Sequence, residues 1–241
     1  MIFNAKPAII GHRGCGSGPG ENTLESLLGA ADLGATWVEL DVQRTADDRL
    51  VLHHDPALPD GTFVADGRGD GLVRLEAAFE ALPPEIGVDL DVKTILEDAL
   101  DPRTAPVLAP LLRAEAARRP LMVTSFDPAL LLQLKDTGVH LGLLTWLGFP
   151  IGHAIAAAAG LGLDAVALHT GSCAPTPRQR PFAQCVQTAH AAGLDVMVWC
   201  PRREDVESFL GADALVVDDI PGAVAALGRR PLPEQEPRVT T

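Results

Sequence analysis

Basic residues are scarce in this chain. It has 19 Lys and Arg against 32 Asp and Glu, a formal net charge of −13. So acidic a chain does not offer the positive face that nucleic acid or an anionic membrane requires, and neither is expected as a partner. Long hydrophobic runs are also missing. No uninterrupted apolar stretch reaches the roughly 18 residues of a membrane span. The first residues lack the charged start and the apolar run of about 7–15 residues that mark a secretory signal. No stable membrane anchoring is expected. Cysteine is sparse: Cys15, Cys173, Cys185 and Cys200 are scattered, with no CxxC spacing. That pattern argues against a zinc site or a disulfide framework and reads as reduced thiols in a cytoplasmic protein.

What the chain does have is apolar material, 47% of 241 residues. That is enough for one sizeable core, and α/β barrels often run about 200–250 residues as a single domain. A single domain over 1–228 is expected. The stretch 229–241 is rich in proline and charge and reads as a disordered tail.

The chain is organised around residues 36–43, TWVELDVQ. Apolar and acidic residues alternate, so on a strand Glu39, Asp41 and Gln43 share one face and Val38, Leu40 and Val42 the other. Two carboxylates side by side in an apolar strand repel each other and lose hydration. A divalent cation with oxygen ligands resolves that conflict. Strands are predicted at 8–11, 37–43, 88–93, 121–126, 140–145, 165–169, 195–200 and 214–218. Helices are predicted at about 23–33, 74–82, 104–118, 128–136, 151–160, 180–192, 203–210 and 221–228. The run 50–54 follows the acidic strand after a turn too short for a parallel crossover, so it reads as an extra antiparallel hairpin strand. Eight strands, each followed by a helix, predict a TIM-type (β/α)8 barrel.

Barrel sites lie at the C-terminal ends of the strands. His12, Glu39, Asp41, Asp91, Lys93, Ser125, Trp199 and Asp218 all fall at or near such ends. Glu39, Asp41 and Asp91 supply oxygen ligands suited to one Mg²⁺ or Ca²⁺ rather than zinc. The competing reading pairs these acids with buried Arg or Lys, for which Arg13 and Lys93 are the obvious partners. His12 and His54 can serve as general acid and base. His53 points to the other side of its strand and reads as structural. Arg13 and Lys93 can hold an anion, and Trp199 offers a flat apolar wall or plain core packing. Asp89 lies on the inward face of the Asp91 strand, one layer deeper. A metal, two acid/base groups and two cations suit phosphate-ester cleavage of a small-molecule substrate.

These residues resemble the glycerophosphodiester phosphodiesterase family. The matching pieces are Gly11-His12-Arg13-Gly14, Glu21-Asn22-Thr23, Val38-Glu39-Leu40-Asp41-Val42 and Leu50-Val51-Leu52-His53-His54-Asp55. Asp91-Val92-Lys93, Ser125-Phe126, Val198-Trp199 and Val217-Asp218 with Pro221 follow in order, so the resemblance runs from 8 to about 227. It implies a TIM-type barrel with one catalytic divalent metal that hydrolyses glycerophosphodiesters to glycerol 3-phosphate and an alcohol. It assigns the acid/base pair to His12 and His54, the metal to Glu39, Asp41 and Asp91, and the phosphate to Arg13 and Lys93. Three departures bear on metal and head-group choice: Asp91 in place of the usual Glu, a short 56–72 segment, and Cys200 in place of the usual Thr. The alternatives are a lysophospholipase D-type enzyme, which needs an apolar groove that no surface stretch suggests, and a non-catalytic phosphoester-binding barrel.

Overall fold

Short runs of Val, Ile, Leu and Ala bounded by glycine and polar turns favour strands, and in the computed structural model they close into a barrel. The structure describes residues 1–94, 103–174 and 180–228. Its strands are β1 (Ala8–Gly11), β2 (Trp37–Arg44), β3 (Leu50–Leu52), β4 (Gly87–Val92), β5 (Leu121–Ser125), β6 (His140–Thr145), β7 (Ala165–His169), β8 (Asp195–Trp199) and β9 (Ala214–Val217). The helices are α1 (Leu24–Asp32), α2 (Leu75–Ala81), α3 (Thr104–Ala116), α4 (Pro128–Gln133), α5 (Ile151–Gly160), α6 (Phe182–Ala191) and α7 (Ile220–Ala226).

All strands but β3 are parallel to their neighbours. The order β1-β9-β8-β7-β6-β5-β4-β2 closes through Ile10↔Trp37 and Gly11↔Val38. β3 runs antiparallel to the outer end of β2, with Val42 opposite Leu52, where β1 has already ended. It is two residues shorter than expected. Gln43 explains the early end: its side-chain amide donates to the carbonyls of His53 at 2.7 Å and Asp55 at 2.6 Å, which turns the chain. After β8 a 3-10 helix over Arg203–Phe209 stands where an α-helix was expected. The stretch 229–241, expected to be a disordered tail, lies outside the described residues.

Alternation along the strands makes two cores. Outward residues such as Val38, Leu40, Val42 and Leu90 pack against the helices. Inward residues Ile10, Trp37, Met122, Leu144, Ala167, Met197 and Val216 fill the lumen. Gly87 lies opposite Trp37, and any Cβ at that position would run into the indole. The residues before β1 plug the lower end. Ile2 and Phe3 are buried there, and the Phe3 ring meets Trp37 edge-on at 5.2 Å. Lys6 pins this plug to Asp213 and, at 3.2 Å, to Asp195. With the floor closed by apolar side chains, the open end is the one at the strands' C-termini. No described helix is long and apolar enough to cross a membrane.

Candidate active site

The turn after β1 sets the site's first wall. Arg13 and Gly14 both take left-handed backbone, φ 52° and 93°. Any Cβ on Gly14 would collide with Ser26, so the turn closes tightly against α1. This turn aims the Arg13 backbone N–H at Glu39 Oε2, 2.8 Å away. Arg13 sends its guanidinium to Glu21 at 2.9 Å and to Asp41 at 3.2 Å. Asn22, also left-handed at φ 56°, grips Asp41 from both sides. Its Nδ2 donates to Asp41 Oδ2 at 2.8 Å, and its Oδ1 accepts from the Asp41 backbone N–H at 3.1 Å.

β2 and β4 run in register, Glu39 beside Asp89 and Asp41 beside Asp91. Glu39, Asp41 and Asp91 each offer an oxygen, and these atoms lie within 4.8 Å of one another. Lys93 binds Asp41 at 2.8 Å and also Asp91. Burial, with the charges of Asp41 and Asp91, holds the Glu39 carboxyl well above the usual range. Burial also pushes Asp41 upward, but Lys93 and Arg13 outweigh it and keep that group ionised. In Asp91 burial wins over Lys93, and the carboxyl stays raised. Asp89 lies deeper, takes a hydrogen bond from the Thr124 hydroxyl at 2.9 Å, and is pushed by burial to about 8.

These groups fit a hard divalent cation. The donors are all carboxylate oxygens, the choice of Mg²⁺ and Ca²⁺. Asp91 Oδ1 is buried and finds no hydrogen-bond partner among the described residues. Arg13 and Lys93, expected on a substrate anion, here pair with the acids, which is the competing arrangement weighed above. Two cations do not match three carboxylates, and among the described residues the one hydrogen bond given to Glu39 comes from the Arg13 backbone N–H. A second acidic group, His190, Asp195 and Asp213, sits at the barrel floor, where Lys6 already bridges its two aspartates.

His12 follows β1 at the mouth, and its Nδ1 lies 2.8 Å from Asp218 Oδ1. The hydrogen bond from His12 lowers the Asp218 carboxyl well below the usual range. An ionised carboxylate only accepts, so Nδ1 carries the proton and Nε2 is left to act as base. His54 Nδ1 lies 2.8 Å from Asp55 Oδ1, on an exposed turn whose charge reaches Asp91. His53 instead places Nε2 3.4 Å from the Ala57 carbonyl. Trp199 ends β8 at the rim, and its Nε1 is buried with no partner among the described residues. Glu21, Asn22 and Asp218 had no assigned role in the sequence, yet they orient Arg13, Asp41 and His12. The expectation that no apolar surface stretch stands out is corrected. Trp146, Leu147 and Phe149, in the turn after β6, are all exposed.

The glycerophosphoryl diester phosphodiesterase family model matches residues 12–74, the segment that carries His12, Arg13, Glu39, Asp41 and His54. Over that segment the chain is similar to the glycerophosphoryl diester phosphodiesterase family. A glycerophosphodiester phosphodiesterase of Caldanaerobacter subterraneus subsp. tengcongensis is 26% identical over 242 residues, covering 89% of this chain and 95% of that protein. A glycerophosphocholine phosphodiesterase of Schizosaccharomyces pombe is 54% identical over 56 residues, 20% of this chain. The match spans only 5% of that fungal protein's length. Among solved structures, an Oleispira antarctica phosphodiesterase in complex with the product sn-glycerol-3-phosphate has the same fold. Its TM-score is 0.77 at 22% identity, covering 92% of this chain and 97% of that one.

Proposed function

We propose that this protein hydrolyses glycerophosphodiesters, such as glycerophosphocholine or glycerophosphoethanolamine, to glycerol 3-phosphate and an alcohol. The observation that carries the reading is the buried triad Glu39, Asp41 and Asp91 in one barrel mouth with His12 and His54 beside it. These three acids would hold one Mg²⁺ or Ca²⁺, which would draw charge from a phosphoryl oxygen. Arg13 and Lys93, the cations nearest the acids, would face the phosphate, and the Trp199 Nε1–H would donate to a substrate oxygen. One histidine takes the proton from the glycerol 2-hydroxyl, whose oxygen attacks phosphorus. The other gives its proton to the departing alcohol oxygen. A cyclic 1,2-phosphate remains and is opened by water, with the two histidines exchanging roles. Asp218 fixes the His12 tautomer, and Asp55 does the same for His54. The four cysteines are unpaired, which supports a reducing compartment, and we read it as the cytoplasm.

The test is direct. Purified protein is incubated with each diester, with and without EDTA, then with Mg²⁺ or Ca²⁺ restored, and free glycerol 3-phosphate is assayed. Release that stops on chelation and returns with the ion is expected. No release with either ion on either substrate would refute the reading.

A further inference from the structure

The last inward position of each barrel strand lies at the mouth. In barrel order these are Asp218 after β9, His12 after β1, Gln43 on β2, Lys93 after β4, Phe126 after β5, Trp146 after β6, His169 on β7 and Trp199 on β8. Four consecutive strands thus contribute polar or charged groups, and the next four contribute rings. The rings touch as a chain that runs Trp146, Phe126, Trp199, His169. Trp146 stacks on Phe126 at 4.1 Å and 15°, and Phe126 meets Trp199 edge-on at 6.0 Å. His169 meets Trp199 edge-on at 4.5 Å. Phe126 and Trp199 also pack on the lumen core beside the acids.

The strip continues outward. Trp146, Leu147 and Phe149 are 66%, 64% and 40% exposed. Their turn is fixed by bonds from Phe149 N–H to the Trp146 carbonyl and from Gly148 N–H to Ser172 Oγ, at 3.0 and 2.9 Å. A fixed turn that exposes three large apolar side chains next to a functional mouth marks a binding surface. A quaternary ammonium would need ring faces that converge on it. Here Phe126 and Trp146 spend faces on each other, and Leu147 would add nothing for a cation. An anionic bilayer is opposed by the net charge of −13.

We infer that the ring-lined half of the mouth, from Trp199 through Phe126 and Trp146 to Leu147, binds a hydrocarbon chain carried by the phosphodiester, so that the protein takes single-chain amphiphilic phosphodiesters. This rests on the activity proposed above for the same site. The charged half takes the phosphate and the rings take the chain.

Binding is tested without turnover. Butyl, octyl and dodecyl phosphocholine lack the attacking hydroxyl and are titrated as monomers, with tryptophan fluorescence as the readout. The chain has three tryptophans and no tyrosine, which keeps that signal simple. A fully buried methylene gives about fourfold in affinity, so about twofold per methylene is expected on a strip this exposed. Trp146→Ser and Leu147→Ser should each collapse the dodecyl-to-butyl ratio, with calorimetry replacing fluorescence for Trp146→Ser. Affinity independent of chain length would overturn the inference, as would chain dependence undiminished in both variants. Sedimentation with neutral phosphatidylcholine vesicles, without a chain effect on monomers, would also overturn it and make the turn a membrane contact. Comparing turnover of lysophosphatidylcholine with that of a glycerophosphate dodecyl ester shows which side of the phosphate carries the chain. Because the titrations need no hydrolysis, an inactive protein would refute the activity reading alone.

Discussion

At the residue scale, the paired aspartates of β4 are the sharpest case. Asp91 faces Glu39 and Asp41 with a free buried oxygen, whereas Asp89 is tied to Thr124 one layer down. Asp91→Asn should weaken Mg²⁺ or Ca²⁺ binding by on the order of 100-fold, and Asp89→Asn should leave it nearly intact; calorimetric titration separates them. Asp89 also has a pH signature. Its folded value, about 8, lies above the ordinary 3.8. The folded state therefore keeps a proton that the unfolded state has lost, and stability falls as pH rises between those values. Asp89→Asn should remove that loss. The melting temperature of the variant relative to the native chain should climb from about pH 4 to about pH 8, and a flat difference would refute the assignment. For the histidines, His12→Ala and His54→Ala should each lower kcat by roughly 10²–10⁴ while metal affinity holds. Near-normal turnover in either would remove that residue from the reaction.

At the element scale, the hairpin strand β3 leads into the turn that carries His54, and Gln43 of β2 anchors that turn. Gln43→Ala frees the carbonyls of His53 and Asp55 and lets the turn move. A misplacement of about 1 Å costs up to about 100-fold in rate, so kcat should fall by roughly 10–100-fold with little change in melting temperature. Unchanged kcat would show that the turn holds itself. The barrel strands were legible in the sequence because each is a period-two or fully apolar run between turn residues. The acid cluster was legible because Glu39 and Asp41 share a strand, and Asp91 matches a motif. Asn22 was not, since its hold on Asp41 spans 19 residues and depends on a left-handed backbone. The ring arc was not, since its members lie one to a strand and meet only when the barrel closes. The segment after β8 was legible as helical, but its 3-10 type was not, since α2 has the same length and also lacks a side-chain cap.

At the scale of the whole molecule, the two ends of the barrel are held by different forces. The floor is an apolar plug locked by Lys6 between Asp195 and Asp213. Breaking a fully buried pair costs about 3–5 kcal/mol, but Lys6 remains 31% exposed, so Lys6→Met should cost about 1–2 kcal/mol. Burial pushes Asp213 up, yet Lys6, the Val196 N–H and His190 outweigh it and hold it below 3.8. Burial likewise opposes the Lys6 charge, yet Asp213 and Asp195 raise it above 10.5. The native chain's advantage over Lys6→Met should therefore be level across neutral pH, narrowing below 3.8 and above 10.5. Equal melting temperatures at neutral pH would show that the bridge is idle. The mouth is held the opposite way, by like charges that a cation would relieve. Mg²⁺ or Ca²⁺ at about 100 times its dissociation constant should stabilise by about 2.7 kcal/mol, reversed by EDTA, and differential scanning calorimetry reads it.

The division of the mouth between two runs of strands has a genetic consequence. The groups assigned to bond cleavage come from β1, β2, β3, β4 and the end of β9, while every ring of the arc is encoded between β5 and β8. Residues 12–74, where the family model matches, hold most of the first set and none of the second. A chimaera that exchanges the 121–200 segment with a relative would carry over a new taste in substrates while inheriting the reaction intact. In such a barrel, point mutations can drift along one arc for a long time without being felt by the other.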